Sequence, residues 1–206
     1  MDTLLKSALT AASEPQTKVA PVSTKVWAEW LKLQTKGNSD LEAMVIACAE
    51  FGLAFRGNQQ PRWLSLLGVT GTGKTHCAQK MWNALAAKID WRSAQFCHSK
   101  IYWPGFVSEL KSGEAWDQLR DMIKWPVLFL DDIIAERDTT GFSTEQLNML
   151  LGSRVEKWTI LTSNLKLEQI GAIEPRIADR IIREPNIFVE VDAPSHAIEA
   201  RLPHND

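Results

Sequence analysis

Gly68-Val69-Thr70-Gly71-Thr72-Gly73-Lys74-Thr75 spells G-x-x-x-x-G-K-[ST], a loop that requires a strand before it and a helix after it. Both are predicted here. Trp63-Leu64-Ser65-Leu66-Leu67 runs apolar into the loop as a buried strand, and Cys77 to Lys88, rich in Ala, Leu, Met and Lys, reads as the helix that leaves it. Glycines let backbone N–H groups turn onto phosphate oxygens, and the helix N-terminus adds partial positive charge at the same place. Lys74 then reaches the β- and γ-phosphates, and the Thr75 hydroxyl can ligate Mg²⁺. The pattern implies a nucleoside triphosphate as ligand.

A chain of 206 residues fits one α/β domain with a small appendage. A net charge of -2 argues against an indiscriminate DNA binder, so any nucleic-acid contact is expected to be a local patch. Cys48, Cys77 and Cys97 are odd in number and form no C-x-x-C pair, which points away from a disulfide framework or a zinc site. His76-Cys77 and Cys97-His98 are adjacent pairs whose side chains diverge, so structural roles are expected. With no signal-like opening and no apolar run of spanning length, a reduced cytoplasmic setting is expected.

Residues 1–58 read as an N-terminal helical region, poorly ordered to about residue 22, and 59–206 as the catalytic core. Val26, Trp27, Trp30, Leu31 and Leu33 give an amphipathic helix from Lys25 to about Thr35. Ser39-Asp40-Leu41-Glu42 predicts a capping box opening a second helix to about Phe55. Beyond the loop helix, strands are predicted at Ala94–His98, Val127–Leu130, Trp158–Thr162 and Ile187–Val191. Helices are predicted at Phe106–Leu119, broken near Gly113, at Ser143–Lys157 and at Arg176–Arg183. Five strands separated by helices imply a parallel sheet covered on both faces.

Chemistry in such sheets collects at the carboxyl ends of strands. Val127-Leu128-Phe129-Leu130 runs into Asp131-Asp132, so Asp131 is the candidate Mg²⁺ carboxylate and Asp132 the group that orients or deprotonates the attacking water. Trp158–Leu161 runs into Thr162-Ser163-Asn164, where the Asn164 amide can position the same water. Arg176 and Arg180 are candidates for a role in trans, since a guanidinium stabilises charge on a transferring phosphoryl group. The alternative for both is a solvated face with Arg176–Asp179 and Arg180–Glu184 ion pairs.

These four pieces in this order resemble an AAA+ ATPase. Gly73-Lys74-Thr75-His76, Asp131-Asp132-Ile133, Ala135-Glu136, Glu145-Gln146-Leu147, Thr162-Ser163-Asn164-Leu165 and Arg176-Ile177-Ala178-Asp179-Arg180 resemble the DnaC/IstB-like branch, over roughly residues 50 to 192. That branch comprises bacterial and phage replicative-helicase loaders and transposition helpers. The resemblance implies a three-layer P-loop NTPase sandwich with a five-stranded parallel sheet of order 5-1-4-3-2. It further implies ATP and Mg²⁺ as cofactors, ATP-dependent self-association, and a replicative helicase and single-stranded DNA as partners.

Carried over by position, Val69, Thr70, Gly71, Thr72, Gly73, Lys74, Thr75 and His76 contact the nucleotide, and Thr75 and Asp131 hold the metal. Asp131 and Asp132 are the acidic pair, Asn164 is the first sensor, and Arg180 is the finger presented to a neighbouring subunit. Ile134 departs from the branch, which usually has Gly there, so a different turn is expected after the acidic strand. The chain also runs only about fifteen residues past its last strand, so no helical lid is expected and intrinsic hydrolysis should be slow.

The segment Ser99-Lys100-Ile101-Tyr102-Trp103-Pro104-Gly105-Phe106, with Lys111, either stacks single-stranded bases or packs a helix on the sheet. The Trp27–Leu31 helix either packs on its neighbour or anchors a partner. A helicase loader is the leading reading. Its alternatives are a transposition helper, which near-neutral charge disfavours, and a nucleotide-binding module without hydrolysis, which intact Lys74, Asp131, Asp132 and Asn164 disfavour.

Overall fold

The computed structural model describes residues 23–88, 100–135 and 138–195. Its strands are β1 (Trp63–Gly68), β2 (Ile101–Tyr102), β3 (Val127–Asp131), β4 (Trp158–Thr162) and β5 (Ile187–Val191). They form one parallel sheet in the order β2-β3-β4-β1-β5, which is the expected 5-1-4-3-2 read from the other edge. The expected strand Ala94–His98 lies outside the described residues, and the strand that occupies the β3 edge is β2.

Period-two alternation sorts the strand residues into two cores. Leu64, Leu66, Val127, Phe129 and Ile160 face one side, where α1 (Thr24–Leu31), α2 (Ser39–Arg56) and α3 (Lys74–Ala86) cover them through Leu31, Met44, Phe51, Cys77 and Met81. Trp63, Leu67, Leu128, Leu130 and Leu161 face the other, against α4 (Trp103–Ser112), α5 (Trp116–Met122), α6 (Phe142–Gly152), α7 (Leu167–Ile173) and α8 (Pro175–Ile182). Helix, sheet, helix: three layers result.

The departures from the sequence reading have local causes. α2 is capped one residue earlier than expected: Asn38 Oδ1 accepts from the Asp40 and Leu41 amides at 3.0 and 3.1 Å, and Ser39 is already helical. α3 begins at Lys74, so the last residues of the phosphate loop form its first turn. The break expected near Gly113 is present, with Gly113 at φ +90°, but the two helices it parts run from Trp103 to Met122, beyond the predicted Phe106–Leu119.

α6 stops at Gly152, short of the predicted Lys157, and Arg154 beyond it turns inward. That fully buried guanidinium donates to the carbonyls of Met122, Trp125 and Trp158 and to Thr159 Oγ1, and burial pushes its pKa down to about 9. Trp27 and Leu31 pack inward; a Cβ on Gly52 would stand 3.3 Å from the Trp27 ring. Among the described residues, no helix is long and apolar enough to cross a membrane.

Candidate nucleotide site

The phosphate loop leaves β1 through glycines with positive φ: Gly68 at +108°, Gly71 at +81° and Gly73 at +92°. At Gly68 a Cβ would come within 2.3 Å of the Val191 carbonyl oxygen, so only glycine fits against β5. The Val69 amide donates to the same carbonyl at 3.1 Å, and Thr72 Oγ1 donates to the Val69 carbonyl at 3.2 Å, closing the loop on itself. Lys74 folds back into this ring, its Nζ donating to the carbonyls of Gly68 (2.8 Å) and Val69 (2.5 Å). Burial pushes its pKa down to about 8, against the opposing pull of Asp132 and Asp131.

Register brings the distant pieces to this loop. β3 lies beside β4 with Leu130 opposite Leu161, so both strands end at one level. Asp131 Oδ1 there accepts from Thr75 Oγ1 at 2.7 Å and from Thr162 Oγ1 at 2.8 Å. Asp131 Oδ2 accepts from Lys100 Nζ at 2.7 Å. The Asp132 amide donates to Thr162 Oγ1 at 2.9 Å, and Asn164 Nδ2 donates to Asp132 Oδ1 at 2.5 Å. Lys74, Thr75, Asp131, Asp132 and Asn164 thus meet in one cluster. Thr162, which links the Asp131 carboxylate to the Asp132 backbone amide, was legible only as part of a strand end.

A buried carboxylate beside a hydroxyl is a donor set that suits Mg²⁺, a hard cation that takes few protein oxygens and completes its shell with phosphate and water. Thr75 and Asp131 therefore fit the metal assigned to them. The turn that carries Asp132 runs through two left-handed residues, Asp132 at φ +63° and Ile134 at φ +59°. Ile134 therefore holds backbone that a glycine would adopt without strain. The imidazole of His76 points elsewhere, donating from Nε2 to the Leu31 carbonyl at 2.8 Å and fastening α1 to α3.

Arg180 joins none of these contacts among the described residues. It lies on α8 and donates through Nη1 to the Asn148 amide oxygen on α6, with Nη2 3.2 Å from where a Cβ on Gly152 would stand. The alternative Arg180–Glu184 and Arg176–Asp179 pairs are absent among the described residues: Arg183 takes Asp179 at 2.5 Å. Arg176 instead grips Glu174 in a two-pronged contact, both bonds 2.8 Å, which pulls the Glu174 carboxyl down to about 2. Pro175 explains the change, because it starts α8 and leaves Glu174 as the N-cap facing its first turn.

The aromatic segment after Lys100 divides. Trp103 and Phe106 are buried, and Trp103 Nε1 donates to Ser143 Oγ at 3.0 Å, so neither is available to stack a base. Tyr102, 52% exposed, remains at the sheet edge.

A solved structure titled DnaI matches 82% of this chain and 92% of its own, with 27% identity and a TM-score of 0.56. The replicative helicase loader DnaI of Bacillus subtilis (strain 168) is 29% identical over 134 residues. In sequence and in fold the chain is similar to DnaI-type AAA+ proteins. AAA+ relatives extend to the chromosomal replication initiator DnaA of Acinetobacter baumannii, 30% identical over 139 residues. A solved DnaA bound to AMPPCP and single-stranded DNA shares the fold over 73% of this chain and 46% of its own, at 21% identity and a TM-score of 0.54. No family model matches the chain. These alignments cover 62% and 65% of this chain, and only 41% of the DnaI and 29% of the DnaA.

Proposed function

We propose that this AAA+ protein is an ATP-dependent helicase loader: it binds a replicative DNA helicase and delivers it to single-stranded DNA, switching with ATP. One observation carries the ATP half, the continuous contact path Thr75–Asp131–Thr162–Asp132–Asn164 at the mouth of the phosphate loop. Similarity to DnaI over nearly all of that solved chain supports the loader half.

Lys74 leaves the Gly68 and Val69 carbonyls to hold the β- and γ-phosphates, and Thr75 and Asp131 hold the cation. Mg²⁺ supplies charge neutralisation on the phosphates. Asp132 orients the attacking water and takes its proton; Asn164 fixes that carboxylate and the water beside it. Arg180 of an adjoining copy stabilises charge on the transferring phosphoryl group. Tyr102 and Lys100 offer a base platform and a cation to single-stranded DNA at the sheet edge.

ATP turnover with and without single-stranded DNA tests this reading, together with capture of a purified hexameric helicase. The isolated protein should turn over below about 10 s⁻¹, the usual enzyme median. Lys74→Ala should weaken ATP binding severely. Capture of a transposase in place of the helicase would overturn the loader assignment, and hydrolysis that stays absent with DNA and helicase present would overturn the ATPase.

A further inference from the structure

The contact of the Lys100 ammonium with Asp131 has no part in the nucleotide chemistry above. Lys100 Nζ stands 2.7 Å from Oδ2, and that carboxylate is nearly sealed, its side chain 6% exposed against 39% for Lys100. Oδ1 is already taken by the Thr75 and Thr162 hydroxyls. A buried carboxylate requires a compensating charge. Lys74 exerts a Coulombic pull on Asp131, but its Nζ is bonded to the Gly68 and Val69 carbonyls. The charge in direct contact is Lys100, placed immediately before β2, where Tyr102 is in register with Asp131.

We propose that Lys100 occupies the magnesium position on Asp131 in the nucleotide-free protein, and that the incoming cation must displace it. The inference rests on the Mg·ATP reading of the site. Mg²⁺ bonds carboxylate oxygen at about 2.0–2.1 Å, and a cation there crowds and repels an ammonium held on the same carboxylate. Loading the site therefore drives Lys100 off Asp131. A long, flexible stem lets the ammonium swing to solvent without moving β2. Because Lys100 flanks the exposed Tyr102, the freed charge appears on the surface assigned to single-stranded DNA. Metal binding in the pocket thereby changes the charge of the sheet edge without a movement of the backbone.

Titrating Mg²⁺ against the full chain with a fluorescent ATP analogue at fixed concentration tests this, with a parallel titration of nucleotide in EDTA. Lys100→Met should lower the Mg²⁺ half-saturation point threefold or more, while nucleotide affinity in EDTA stays within twofold. Lys100→Gln, polar and uncharged, should behave alike and serves where the methionine variant folds poorly. An unchanged half-point in both variants overturns the proposal. A raised half-point also overturns it and makes Lys100 a phosphate ligand. Should wild-type protein bind nucleotide equally with Mg²⁺ and EDTA, the metal site itself is wrong, which is distinguishable because wild type alone reveals it.

Discussion

Around the phosphate loop the two carboxylates are held by groups distant in sequence: Asp131 by Thr75, Thr162 and Lys100, and Asp132 by Asn164. On the α6–α8 face the two arginines are held differently. Arg176 is neutralised by Glu174 two residues away, whereas Arg180 is oriented by the neutral Asn148 amide. The pocket is internally compensated, so a ligand must displace existing partners. Arg180 is aimed but keeps its charge available, as an arginine serving another subunit's phosphates would.

The sharpest way to break this contrast is to remove the two arginines separately. Arg180→Ala should lower DNA-stimulated turnover by about 10³-fold, the lower range for an arginine finger, with ATP affinity within twofold. Arg176→Ala should cost far less, since its guanidinium already spends its bonds on Glu174. Mixing Arg180→Ala with Lys74→Ala should restore part of the turnover, because a mixed interface pairs an intact pocket with an intact arginine. Equal losses in the two arginine variants, measured by steady-state ATPase, would erase the distinction.

A smaller effect separates the pocket from the arginine face by pH. Lys74 titrates at about 8 in the free protein, and contact with phosphate restores its proton. Below pH 8 the ammonium is present before and after binding, so affinity is flat. Above pH 8 binding must take up a proton, and affinity should fall about tenfold per pH unit. The sign for folding is opposite: a lysine with a lowered native pKa penalises the fold below pH 8, and that penalty is relieved as pH rises from 8 toward 10.5. ATP dissociation constants at pH 7, 8 and 9 check this, and Lys74→Ala should bind weakly with no such slope.

Residues that carry the pocket were legible because each ends an apolar run: Lys74 and Thr75 after β1, Asp131 and Asp132 after β3, Asn164 after β4. Their partners were not. Thr162 reaches Asp131 across 31 positions and Asn148 reaches Arg180 across 32, so strand register and helix packing, not local spacing, decide these bonds. Lys100 read as a cation for DNA because nothing in the chain places it opposite a carboxylate 31 residues away. The i+3 and i+4 alternative for Arg176 missed its partner because it considers residues within a helix, while Glu174 lies at the cap before it. α7 was missed altogether: Leu167–Ile173 is too short to show a helical period, and it is fixed by Ile170 in the core and by the bond from the Lys166 amide to Gln169.

The smallest expected effect concerns Ile134, where pocket geometry and packing pull in opposite directions. At φ +59° a β-branched residue carries left-handed strain of about 1–2 kcal/mol, which glycine would not. Its side chain nonetheless packs half-buried on the α4–α8 side of the sheet, worth part of the roughly 1.5–3 kcal/mol of a fully buried Ile. Glycine would also loosen the unfolded chain, costing about another 0.4–1 kcal/mol. The terms nearly cancel, so Ile134→Gly should change stability by no more than about 1 kcal/mol in denaturant unfolding. Since Asp132 is already held by Asn164 and Thr162, ATP affinity should stay within twofold. A severalfold loss of affinity would mean that the isoleucine, and not those two bonds, positions the acidic turn.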